Sequence, residues 1–92
     1  MNAKTRFSNV WDALEDDPIR ARNLKLRSEL MILISQELSA RELTQTAAAE
    51  LLHITQPRIS ALLQGKIESF RLDSLVDMAH RLGLEVSIGV AA

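Results

Sequence analysis

The sequence predicts an all-α domain of about five helices, followed by one C-terminal β-strand used for dimerisation. Three observations lead there. Apolar residues recur at helical spacing over most of the 92 residues. Three helical stretches open on a residue able to cap them, and after Gly83 the apolar period changes to strict alternation. The length suits one small domain with a tail, and such a chain buries only roughly 60–65% of its unfolded surface, so its core is modest. Hydrophobic residues make up 47% and charged residues 25% of the chain, which argues against a disordered polymer.

The elements follow in order. Residues 1–17 form an N-terminal segment in which Phe7, Val10, Trp11 and Leu14 offer an apolar face on a short, acidic, weakly helical piece. In "DDPIRARNLKLRSELMILISQEL", Asp17 can cap a helix and Pro18 fits its first position, where a missing N–H costs nothing. Leu26, Leu30, Leu33 and Ile34 make a helical stripe, and Leu24, Met31 and Leu38 widen it beyond one ordinary face. A helix with more apolar surface than one core needs often has a second partner. Thr44 caps the next helix in "LTQTAAAELLHI", with Ala48 and Leu52 facing inward and His53 ending it. Thr55 caps a third helix running to Gln64, and Gly65 supplies a left-handed stop. "RLDSLVDMAHRLG" reads as a further helix, with Leu72, Leu75, Met78, Ala79 and Leu82 inward and Gly83 as its stop. In "LEVSIGV", Leu84, Val86, Ile88 and Val90 alternate with Glu85, Ser87 and Gly89, as in a half-buried strand. One strand cannot satisfy its own edges, so 84–92 is expected to dimerise against the same strand of a second copy. The DNA-binding unit proper is expected over 18–83.

Composition narrows the function classes. There are no cysteines, which excludes disulfides and thiolate metal sites and fits a reducing cytoplasm. The densest apolar run, "LMILI", falls far short of the roughly 20 residues of a membrane span, and no signal peptide is recognisable, so a cytoplasmic protein is expected. The net charge of −1 hides a pattern. Lys4 and Arg6 face Asp12, Glu15, Asp16 and Asp17 in the first 19 residues, and Arg81 faces Asp73, Asp77 and Glu85 in the last 21, while the middle is mildly basic. His53 and His80 have no second ligand or serine–carboxylate arrangement nearby in the sequence, so neither catalysis, a metal nor a cofactor is expected.

The stretch "ITQPRISALLQGK" carries the functional signal. Its helix has little core and several compact polar groups at its front end, as expected of a helix that presents that end to a polar surface. Between Gln45 and Gln64, Ala49 stands where two helices would touch, Ile59 where a β-branched plug is needed, and His53 where the chain must turn sharply. Apolar residues hold the supporting places at Ala48, Leu52, Ile54 and Leu62.

"LTQTAAAELLHITQPRISALLQGK" resembles the helix-turn-helix of the Cro-type (XRE) repressors, which implies a lambda-repressor-like DNA-binding domain over about residues 24–83. The family usually has glycine in the turn. Histidine at position 53 is among the few other types that tolerate positive φ. Leu63 stands where many relatives carry a glutamate paired with the first helix. The resemblance implies that the third helix enters the DNA major groove by its N-terminal end. It gives base-facing roles to Gln56, Pro57, Ser60 and Ala61, and phosphate contacts to Gln45, Thr55, Gln64 and Lys66; Arg58 fits either class. Chemically, Gln56 can pair with adenine, Arg58 with guanine, and Ala61 can touch a thymine methyl.

"FSNVWDALEDDPIRARNLKLRSELM" and "TQPRISALLQGKIESFRLDSLVDMAHRLGLEVSI" resemble the HigA-like antitoxin branch of that family. This implies a transcriptional repressor of its own operon that neutralises a RelE-like toxin. Phe7, Val10, Trp11 and Leu14, amid acidic residues, complement the basic surface expected of an RNA-cleaving toxin. Alternatively Trp11 folds back on the first helix. A lone phage-type regulator and a helical protein–protein adaptor are the rival functions.

Overall fold

The first helix begins where a carboxylate can serve an amide that has no acceptor of its own. Asp17 accepts a hydrogen bond from the Ile19 amide at 2.9 Å, and Pro18 follows as the first helical residue. In the computed structural model, which describes residues 16–92, α1 then runs over Pro18–Ala40. α2 covers Gln45–Leu52, α3 Gln56–Leu63 and α4 Leu72–Arg81, with a 3-10 turn at Ile67–Ser69 between the last two. Thr44 accepts from the Ala47 amide at 3.1 Å and Thr55 from the Arg58 amide at 3.4 Å. Both threonines therefore cap as their positions suggested. Gly65 and Gly83 lie just past the ends of α3 and α4 at φ 74° and 80°, backbone conformations that would strain a side chain.

α1 is the spine. It packs most extensively on α4, while α2 packs most on α3. Between them sits one core that includes Ile34, Ala49, Leu52, Ile59, Leu62, Phe70 and Leu75. The sequence stripe Leu26–Leu30–Leu33–Ile34 is only half inward. Ile34 is buried and Leu30 packs on the core's edge, but Leu26 and Leu33 remain half exposed. The buried line of α1 is instead Ala21, Leu24, Ser28, Met31, Ile34 and Leu38. Ser28 hides this line from a hydropathy reading: it is polar but buried, beside Leu62, Gly65 and Ile67.

The expectation of five helices and a C-terminal strand requires correction. Among the described residues there are four α-helices and one 3-10 turn, and residues 84–92 form neither helix nor strand. The alternating pattern is used differently. Leu84 and Val86 pack against the core, while Ile88 and Val90 are 90% exposed. A ladder requires a second strand, and no segment among the described residues supplies one. The expected face of residues 7–14, and most of the segment 1–17, lie outside the described residues. No helix among the described residues is long and apolar enough to cross a membrane.

The chain reverses between α2 and α3 at His53, which adopts the left-handed conformation at φ 57° and ψ 41°. A side chain there costs about 1–2 kcal/mol, most for a β-branched one. His53→Val is therefore expected to lower the melting temperature by roughly 5–10 °C, and His53→Gly to leave it level or raise it slightly. Thermal unfolding followed by circular dichroism checks this; equal melting temperatures for His and Val would mean the turn is unstrained.

Candidate nucleic-acid interface

α3 is held by one edge. Ile59 and Leu62 point into the core with essentially no exposure, which leaves most of the helix circumference to other groups. Gln56, Ser60 and Gln64 fall four residues apart and make one outward row, and Pro57 stands beside it at the front. Gln56, Pro57 and Gln64 are exposed and Ser60 is half-buried. The structure thus brings four of the residues suggested by sequence onto one side of one helix.

The row is internally ordered. Gln64 Nε2 donates to Ser60 Oγ at 3.1 Å, so the serine hydroxyl keeps its own proton for an external acceptor. Gln56 Nε2 donates to Thr46 Oγ1 at 3.0 Å. A primary amide has two N–H groups and a carbonyl. One N–H is used on Thr46, which leaves one donor and one acceptor side by side. Adenine presents the matching acceptor and donor in the major groove. Thr46 fixes which way the amide faces, and sequence reasoning did not single it out. It lies ten residues from Gln56, and only the crossing of α2 over α3 makes the two neighbours.

The expected phosphate contacts surround this row. Gln45 opens α2, Thr55 caps α3, and Lys66 follows Gly65; all are exposed. Thr55 Oγ1 accepts its capping bond, so its hydroxyl proton remains available to a phosphate oxygen. The N-termini of α2 and α3 add amides without intrahelical acceptors and the positive end of each helix dipole. Between residues 53 and 71 the only acidic side chain is Glu68, and Arg20 pairs with it at 3.1 Å. The segment that carries α3 is accordingly little opposed by carboxylates of its own.

Two suggested residues face elsewhere. Ala61 packs partly against the core. The Arg58 guanidinium lies 4.3 Å from the centroid of the Phe70 ring, and its Nη1 donates to the Ser69 carbonyl at 3.0 Å. Phe70 is completely buried. Arg58 thus covers the core's largest side chain and ties the front of α3 to the turn after it. To reach a guanine it would have to leave a stacking worth about 0.5–1 kcal/mol and an exposed hydrogen bond worth about 0.5–1.5 kcal/mol. A bidentate base pair gives about 1–3 kcal/mol of discrimination in return, so the exchange offers no clear gain. At the turn itself, Arg81 Nη1 lies 3.4 Å from His53 Nε2, which links the end of α4 to the α2–α3 reversal.

Comparison with known proteins bears on this geometry. The model of the family described as helix-turn-helix domain matches residues 13–91. Among curated proteins, none matches the chain.

Arg58→Ala is expected to destabilise the fold by about 1–2 kcal/mol. It should weaken binding to specific and unrelated duplexes alike, with base preference unchanged at every position. Chemical denaturation and binding to a panel of single-base variants measure the two effects. A relaxed preference at one guanine would instead make Arg58 a base-reading residue.

Proposed function

The chain belongs to the helix-turn-helix domain family, and from that premise we propose that it is a sequence-specific repressor of transcription that binds double-stranded operator DNA through the front of α3. The observation that carries this reading is the outward row Gln56–Ser60–Gln64 with its amide oriented by Thr46. A helix supporting only a core would have no use for that arrangement. Gln56 reads a base, with Pro57 and Ser60 beside it against the groove wall. Gln45, Thr55, Gln64 and Lys66 hold phosphates and set the register. Pro57 stiffens the first turn of α3 without removing a needed hydrogen bond. The protein works in the cytoplasm as a binding module rather than an enzyme, and as a homodimer, because one α3 covers one half-site.

The finer reading is that of a HigA-like antitoxin that represses its own operon and neutralises a RelE-like toxin. It is supported by the resemblance of both flanks of the recognition helix to that branch of the XRE repressors. In this reading Phe7, Val10, Trp11 and Leu14 meet the toxin. The acidic residues Asp12, Glu15, Asp16 and Asp17 complement its basic surface.

Two variants separate the roles on DNA. Gln56→Ala should cost about 1–3 kcal/mol against the selected operator and relax preference at one base pair. Lys66→Ala should weaken binding to all sequences alike and reduce the salt slope by about one. Titrations at several salt concentrations, with operators selected from a random pool, give both quantities. An equal loss on every sequence for both variants would abolish the division between reading and positioning. Deletion of residues 1–17 tests the antitoxin role. DNA binding should survive nearly intact while protection of cells against the co-encoded toxin is lost, and full protection by the shortened chain would remove the segment from that contact.

A further inference from the structure

Ile19, Leu26 and Leu33 lie along one line of α1 and remain 72%, 49% and 53% exposed. Their seven-residue spacing is the repeat that keeps an apolar seam turned towards another helix. Beside the line, Leu26, Leu30 and Leu33 form one wall of an apolar groove of about 440 Å³, opposite Val76, Val86 and Ile88. No residue of α2 or α3 lines the groove, so a partner seated there leaves the front of α3 open.

We propose that this face binds a second copy of the chain, with the two α1 helices antiparallel and Ile19 of each copy in the groove of the other. Two features select a copy over an unrelated partner. The first is that knob and hole share one face. Ile19 protrudes near the start of the line and the groove opens around Leu30 and Leu33 further along, so a two-fold axis close to Leu26 satisfies both copies at once. The second is charge. The half of α1 before Ser28 carries Arg20, Arg22, Lys25 and Arg27 and no acidic residue, whereas the remainder carries Glu29 and Glu37 and no basic one. Antiparallel pairing lays the basic half along the acidic half; a parallel pair would oppose like charges. Arg22 and Glu29, one heptad apart, both flank the apolar line and fit this sense. The contact is made by side chains of α1 and of the tail, including Ile88, and requires no strand ladder.

The inference rests on the DNA-binding reading only for its purpose, which is to join two recognition helices across half-sites about 34 Å apart. The dimer itself is measured without DNA. Analytical ultracentrifugation of the full chain at micromolar concentration should give a dimer for the wild type and a monomer for Leu26→Glu and Leu33→Glu. Both substitutions are at exposed positions, so helicity and melting temperature serve as the check on folding. Leu63→Glu, at a half-exposed site on α3 outside the groove, should remain dimeric, and Arg22→Glu should weaken the dimer at low salt. Because the chain has no cysteine, orientation can be read by oxidation. Leu26→Cys should cross-link, whereas Ile19→Cys should not, since antiparallel helices hold those positions about 20 Å apart, well beyond the roughly 7 Å limit of a disulfide. A monomeric wild type, or a dimer that persists in folded Leu26→Glu, overturns the proposal, and cross-linking through Ile19→Cys overturns its antiparallel sense. A wild type that dimerises through this face yet prefers no DNA sequence upholds the interface and refutes the operator-binding reading alone.

Discussion

The reversal at His53 is the constraint on which the rest of the structure depends. α2 and α3 have eight residues each, well below the roughly 12–15 at which an isolated helix becomes marginal in water. Neither stands without the other, and they can meet only if the chain turns within three residues. The left-handed conformation of His53 makes that turn. Its amide bonds back to the end of α2, and the Ile54 amide reaches the Ala49 carbonyl at 3.0 Å. Thr55 then caps α3 at once. The conformational cost at a non-glycine residue is about 1–2 kcal/mol. Burial of Ile59 and Leu62 behind the turn returns about 1.5–3 kcal/mol each, so the local strain is tolerated.

This turn also explains why α3 can be so sparsely anchored. A helix fixed at its front by a cap, at its inner edge by two apolar residues, and at its side by Arg58 on Phe70 needs no further core contacts. The remaining positions are released for small polar groups. Thr46 shows the same economy from the neighbouring helix, because the crossing that packs Ala49 also brings a hydroxyl against Gln56. Packing and presentation are therefore two results of one crossing.

α1 serves both sides of its circumference. One side builds the core with Leu24, Met31, Ile34 and Leu38; another leaves Ile19, Leu26 and Leu33 in water. In a chain of 92 residues, with little surface to spare, half-exposed leucines in register are a structural cost unless something covers them. The tail adds to that side, since Leu84 and Val86 extend the core while Ile88 continues the apolar wall beyond it.

Where α1, α2 and α3 begin, and where α3 and α4 stop, is legible in the sequence alone. Asp17–Pro18, Thr44, Thr55, Gly65 and Gly83 act on backbone groups within a few residues, so their effects are encoded locally. His53 as the turn and Ala49 and Ile59 as its packed partners were legible from their spacing, whereas the DNA-facing roles of Gln56, Ser60 and Gln64 came from the resemblance to the Cro-type repressors. What depends on distant neighbours is set by packing between the helices. Buried Ser28 and half-exposed Leu26 and Leu33 reverse the hydropathy reading of α1, because its inner side is set by where α4 and the 3-10 turn approach. Gln56 is oriented by a threonine ten residues away, and Arg58 is drawn to a carbonyl eleven residues away. The tail shows the limit most directly. Alternation of Leu84, Val86, Ile88 and Val90 specifies which side chains share a face, but a strand exists only where a second strand meets its hydrogen bonds, and that partner is not written in the segment itself.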